Sequence, residues 1–151
     1  MTRLSVQTAL RIPGHPTMAS IALLLLRLIA GTAFILHGWQ KVQNPVGWMG
    51  PASSIPAFFQ VLAAISEFGG GIGWVSGFLT PLASLGIASV MTVAVSLHLM
   101  VLKDPFVNLT GGHSYELALV YLGIALLVLV LGPGKFSLDK KLFGERMEKG
   151  L

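Results

Sequence analysis

Four apolar runs, each close to twenty residues, leave this chain few ways to fold. SIALLLLRLIAGTAFILHGW (Ser20 to Trp39), AFFQVLAAISEFGGGIGWVSGFL (Ala57 to Leu79), LASLGIASVMTVAVSLHLMVL (Leu82 to Leu102) and SYELALVYLGIALLVLVLG (Ser114 to Gly132) are divided by shorter polar or Pro- and Gly-bearing stretches. A helix of ~20 residues crosses the ~30 Å hydrocarbon core of a bilayer. The chain is 54% hydrophobic and only 11% charged, outside the range of soluble domains. These features predict an all-α, integral membrane four-helix bundle over residues 18–134, with spans near 20–41, 57–79, 82–102 and 114–132. The first run has the length of a signal sequence, but Arg27 interrupts it and no small-x-small cleavage site follows, so it is read as retained.

Charge distribution orients the bundle. Arg3 and Arg11 precede the first span, and Lys135, Lys140, Lys141, Arg146 and Lys149 follow the last, whereas the loops after spans one and three offer Lys41 and Lys103. By the positive-inside rule both termini, residues 1–17 and the basic tail 135–151, are cytoplasmic. The partner implied for these cations is the lipid bilayer, through an anionic leaflet, and not nucleic acid. Leu138, Leu142 and Phe143 among the tail's lysines suit either an interfacial helix or a solvated basic tail. With no cysteine, thiol redox chemistry and Cys-ligated metal centres are excluded. The first external loop, VQNPVGWMGPASSIP, has the Pro, Gly and Ser content of a lid.

Five ionisable side chains fall inside the runs: Arg27, His37, Glu67, His98 and Glu116. Each costs several kcal/mol facing lipid, so each is expected to face the interior and find a partner. Depth counted at 1.5 Å per residue sorts them into two layers. Arg27 lies ~21 Å below Lys41 and Glu67 ~16 Å below Pro56, which makes them the expected ion pair near the bilayer middle. Its role is open between a functional floor and a register-setting contact. His37 lies ~6 Å below Lys41, His98 ~7 Å below Lys103 and Glu116 ~6 Å below Gly112, a shared outer layer from three helices. Two imidazoles and a carboxylate can relay protons or hold a quinone carbonyl, although singly each histidine suits a structural hydrogen bond as well. No His-x-x-His or Glu-x-x-His spacing supports a metal centre.

Span two places Gly69, Gly73 and Gly77 at every fourth position, a ridge that lets another helix approach closely or supports self-association. Glu67, Gly70, Trp74 and Gly77 form a second stripe that puts the carboxylate and the indole on one side.

The ordered set of these residues resembles the DoxX-like family of small four-helix membrane proteins. It comprises R-L-x-x-G-x-x-F-x-x-H-G-x-x-K (Arg27, Leu28, Gly31, Phe34, His37, Gly38, Lys41), then E-x-x-G-G (Glu67, Gly70, Gly71) and G-x-x-T (Gly77, Thr80). His98, Glu116 and the exit G-P-G-K-F-S-L-D ending at Asp139 complete it. The resemblance runs from about Leu25 to Asp139 and implies a bacterial or archaeal cytoplasmic-membrane protein. Namesake members are subunits of quinol oxidase or thiosulfate:quinone oxidoreductase systems, and related members are linked to oxidative-stress complexes.

From residues and resemblance together, His37, His98 and Glu116 are expected to form the reacting layer of a quinone-headgroup pocket. Lys41 stands at its mouth, Arg27 and Glu67 close its floor, and Trp74 shares the wall with Glu67. No cofactor is held by the chain itself beyond a bound quinone, and electrons would come from other membrane subunits, since no haem or iron-sulfur ligand set is present. The rival expectation is a non-catalytic accessory or assembly subunit that packs on a larger membrane complex through the glycine ridge.

Overall fold

The computed structural model describes residues 14–51 and 53–144. Residues 1–13 and 145–151, parts of the two segments assigned to the cytoplasm, lie outside the described residues. Four helices follow in order: α1 (Thr17–Gln43), α2 (Ala57–Ser76), α3 (Thr80–Ser96) and α4 (Glu116–Leu131). A π-helical segment, Leu97–Leu102, continues α3, and a short one, Lys140–Gly144, follows the exit. Among the described residues there is no strand. α1, α2 and α3 with its extension are each long and apolar enough to cross a membrane. α4 is shorter, 16 residues rising about 24 Å.

Each helix packs on the next in sequence, as short connections require. Phe34 of α1 closes the circuit onto Tyr121 of α4, ring centroids 4.9 Å apart. Large apolar side chains stand exposed on every helix, among them Ile29, Ile65, Leu82 and Val130. In water such a surface drives aggregation; in lipid it is the ordinary outer face.

The α1–α2 pair is the tightest. Ser20, Leu23, Arg27, Ala30, Phe34 and Gly38 repeat at helical spacing along the buried face of α1. A Cβ placed on Gly31 would stand 2.9 Å from the Gly71 carbonyl oxygen, and one on Gly71 would stand 2.7 Å from that of Gly31. A Cβ on Gly38 would overlap the Phe68 backbone. These glycines let two backbones touch, the familiar route to helix association where lipid removes the hydrophobic driving force.

The expected Gly69/Gly73/Gly77 ridge does not form a free docking surface. Gly73 is buried against Ala83 of α3, and Gly77 adopts the left-handed conformation that ends α2. Gly69 alone of the three faces open space. A run with period four drifts around a helix of 3.6 residues per turn, and α2 ends before the third glycine.

The exit from α4 is part of the bundle. Residues 135–139, assigned to the tail on sequence, return to the α2–α3 turn. Asp139, only 4% exposed, accepts hydrogen bonds from the backbone N–H groups of Leu79 and Thr80, both at 2.8 Å. Its own N–H donates to the Gly77 carbonyl. The carboxylate thereby caps the first turn of α3 from a distant part of the chain. Lys135 bonds Thr17 and the backbone N–H of Lys135 donates to Ser20, so both ends of the described chain lie at one end of the bundle.

Gly38→Leu is expected to separate α1 from α2 and cost more than about 3 kcal/mol, read as a lowered denaturation midpoint in detergent. Truncation after Gly134 is expected to cost at least about 2 kcal/mol, through the lost cap and the lost Phe136 carbonyl described below. An unchanged midpoint would return residues 135–139 to the status of a free tail.

Candidate functional site

Arg27 and Glu67 do not pair. The Arg27 guanidinium donates to the Trp74 carbonyl at 3.1 Å and to the Phe136 carbonyl at 2.6 Å, and the charge of Asp139 acts on it. Glu67 instead accepts from Lys41, Nζ to Oε1 at 2.5 Å. The depth count failed because Pro56 is not level with Lys41. Loop 44–55 folds back on the first turns of α2: Trp48 Nε1 donates to the Gln60 carbonyl at 3.1 Å, and Gln60 Nε2 donates to the Ile55 carbonyl. Gly38 faces Phe68, which brings Glu67 to within about one turn, ~5 Å, of Lys41 in height. Helical Cα–Cβ bonds lean toward the N-terminus, so Lys41 reaches down α1 into the bundle rather than out to water.

Nor do His37, His98 and Glu116 converge. Among the described residues no hydrogen bond or ion pair joins any two of them, and no three His, Asp or Glu side chains gather closely enough to hold a metal. His37 is exposed, roughly a fifth of a turn off the buried face of α1. Glu116 is exposed too; it lies about half a turn around α4 from Ala125, which is buried. His98 Nδ1 donates to Asp104 at 2.7 Å, within a cap where the Asp104 N–H also bonds the His98 carbonyl. Gly38 faces Phe68 and Gly73 faces Ala83, which sets His37 about 15 Å below His98, so a layer counted from each helix's own end is not level in the structure.

Trp74 is a core residue. It is fully buried, its Nε1 donates to Ser84 Oγ at 2.9 Å, and Phe34 meets it edge-on with centroids 5.7 Å apart. The predicted stripe of Glu67, Gly70, Trp74 and Gly77 is buried throughout. It serves two places, Glu67 the outer half and Trp74 the Arg27 junction.

What the structure does assemble is a cleft of about 1030 Å³ between α2 and α3, roofed by loop 44–55. Its walls are apolar except near the outer end, where Lys41, Trp48, Gln60 and Glu67 gather. The Glu67 side chain is 3% exposed and that of Lys41 21%, so the carboxylate is enclosed while the ammonium keeps partial access to the surface. Lys41 Nζ lies 4.3 Å from the centroid of the Trp48 ring, a cation–π contact that holds the ammonium inside the cleft. One oxygen remains: Glu67 Oε2 is buried with no hydrogen-bond partner. A carboxylate oxygen left so carries a desolvation cost that any O–H or N–H donor would relieve. Trp48 and Gln60 were not singled out on sequence. The signal available was an indole within a Pro- and Gly-rich loop, twelve residues before a polar residue in the first turn of an apolar span.

Comparison with known proteins agrees with this architecture. The chain is 28% identical over 127 residues to the inner membrane protein YqjF of Escherichia coli (strain K12), covering 83% of this chain and 95% of that protein. No solved structure matches. The model of the DoxX family matches residues 22–100, from α1 to the end of α3, which includes every residue of the Lys41–Glu67 cleft. The protein is a membrane protein of the DoxX family.

Proposed function

We propose that this chain is a quinone-linked subunit of a redox system, and that it binds the headgroup at Lys41 and Glu67. The reading thus moves the site from the histidine layer to the cleft. The observation that carries it is the buried, unpartnered Glu67 Oε2 beside a largely apolar cleft that Lys41 and Glu67 help to line. A lipid-soluble molecule with a small polar head matches that polarity. The reduced, hydroxyl-bearing head fits best, because its O–H can donate to Oε2 while Lys41 donates to an oxygen of the same ring. Trp48 and the Gln60-anchored loop exclude water, and Lys41, partly exposed, links the carboxylate to the external side for proton exchange. His37, His98 and Glu116 take no part in holding the head. Electrons pass to or from a partner subunit. By analogy with the E. coli relative's location, and by the positive-inside rule, the protein is a multi-pass protein of a bacterial or archaeal cytoplasmic membrane with both termini inside.

The test is extraction of bound quinones from protein purified in mild detergent with its native lipids. Wild type and the His37→Ala, His98→Ala double variant are expected to retain the same amount. Glu67→Gln, which replaces the free acceptor by a donor, is expected to weaken quinol binding roughly 10- to 100-fold with an ordered fold by circular dichroism. Equal retention by Glu67→Gln, or loss only in the histidine variant, would sink the cleft assignment. For orientation, a reporter domain inserted in loop 44–55 is expected to be accessible from outside, and one fused after Gly144 only after the membrane is opened.

A further inference from the structure

The cleft is larger than a headgroup needs, and its shape follows the helices. Small-molecule pockets generally run from about 300 to 1,000 Å³, and this one is about 1030 Å³, with Glu67 midway along its α2 side and an apolar stretch from there to Phe78 and Leu79. Along α3 its wall runs from Leu82 through Gly86 and Val93 to Leu97, a rise of about 22 Å. Along α2 the floor is made by small residues, Ser66, Gly69 and Gly73, and the far end is closed by Phe78 and Leu79 at the α2–α3 turn. A Cβ added to Gly69 would meet nothing within 4 Å. At that point nothing in the chain approaches the backbone of α2.

From the presence of Lys41 and Glu67 in the cleft wall, its length and its small-residue floor, we infer that it holds the long apolar tail of the molecule whose head binds at Lys41 and Glu67. The tail is of polyisoprenoid type and runs down the α2–α3 groove toward the Phe78 end. This rests on the head-binding reading above. It adds that the chain recognises the tail itself instead of leaving it in bulk lipid. Branched methyl groups suit a floor where glycine and serine leave side-chain-sized gaps between bulkier neighbours, and lateral entry from the bilayer needs no water-filled path. A tail so held fixes the direction from which the head meets Glu67.

The test uses the whole protein in lipid nanodiscs and two probes, a hydroquinone with a long isoprenoid tail and the same ring with a methyl group in its place. Affinities are compared at equal mole fraction in the bilayer, which removes partitioning. In wild type the tailed probe is expected to bind at least tenfold more tightly. Gly69→Leu, which fills the groove without touching another residue, is expected to erase that advantage and leave the methyl probe unchanged. Gly123→Leu, at an exposed α4 position that is equally open and outside the cleft, is expected to change neither. A photoreactive group at the tail's end is expected to label residues 72–82. Equal binding of the two probes, or a Gly69→Leu protein that keeps the tail advantage, overturns the tail site while sparing the head site. Binding of neither probe to wild type overturns both. Displacement of the tailed probe by phospholipid alone would assign the groove to an ordinary lipid and overturn the inference.

Discussion

A guanidinium in an apolar helix is the constraint on which the rest of this molecule depends. Facing lipid, Arg27 would cost several kcal/mol. Instead it is fully buried and donates to a carbonyl in the last turn of α2 and to one in the exit from α4. The carbonyl end of a helix carries partial negative charge, so the cation also meets the α2 dipole. Asp139, three residues beyond Phe136 in the same exit segment, caps α3 with both of its oxygens. One side chain thus ties α1 to α2 and to the exit, and through Asp139 to α3.

That junction sets the register of α1 on α2, and the register sets the site. With Arg27 beside Trp74, Gly31 falls against Gly71 and Gly38 against Phe68. The same alignment brings Lys41, two heptads above Arg27, to Glu67. Separating the outer pair from Arg27 gives the protein two polar junctions, and each keeps an unpartnered buried atom: the donor Arg27 Nε in one and the acceptor Glu67 Oε2 in the other. Buried polar groups in membrane proteins ordinarily find partners. An acceptor left over beside a cleft is therefore the feature that most directly connects the fold to a ligand.

The sequence showed plainly what hydropathy and cost can decide. Four runs of the right length required four helices and the intramembrane charges required an interior, but close backbone approach was assigned to Gly69, Gly73 and Gly77, whereas α1 and α2 touch at Gly31, Gly38 and Gly71. Glu67 was placed with Trp74 on one face of α2, and that face is buried. The partnership of Glu67 with Lys41 was missed because a helix measured from its own start says nothing about where the neighbouring helix starts. Loop 44–55, folded back on α2, shifts the two rulers against each other. His37 and His98 were counted into one layer from separate helix ends, and the same shift of rulers sets them about 15 Å apart in height; a depth count is also blind to rotation.

By itself, then, the amino-acid sequence determined that this is an α-helical membrane protein, which segments form its apolar helices and which side chains require shelter. Those are properties of single segments against a solvent, and each is set by length, composition and the cost of moving charge into hydrocarbon. Only the tertiary structure decided that Arg27 closes the Asp139 junction, that Lys41 belongs to Glu67, and that α2 and α3 part to leave a cleft beside them. Those are relations between helices, set by side-chain reach, by loop geometry and by where glycine lets one backbone lie against another.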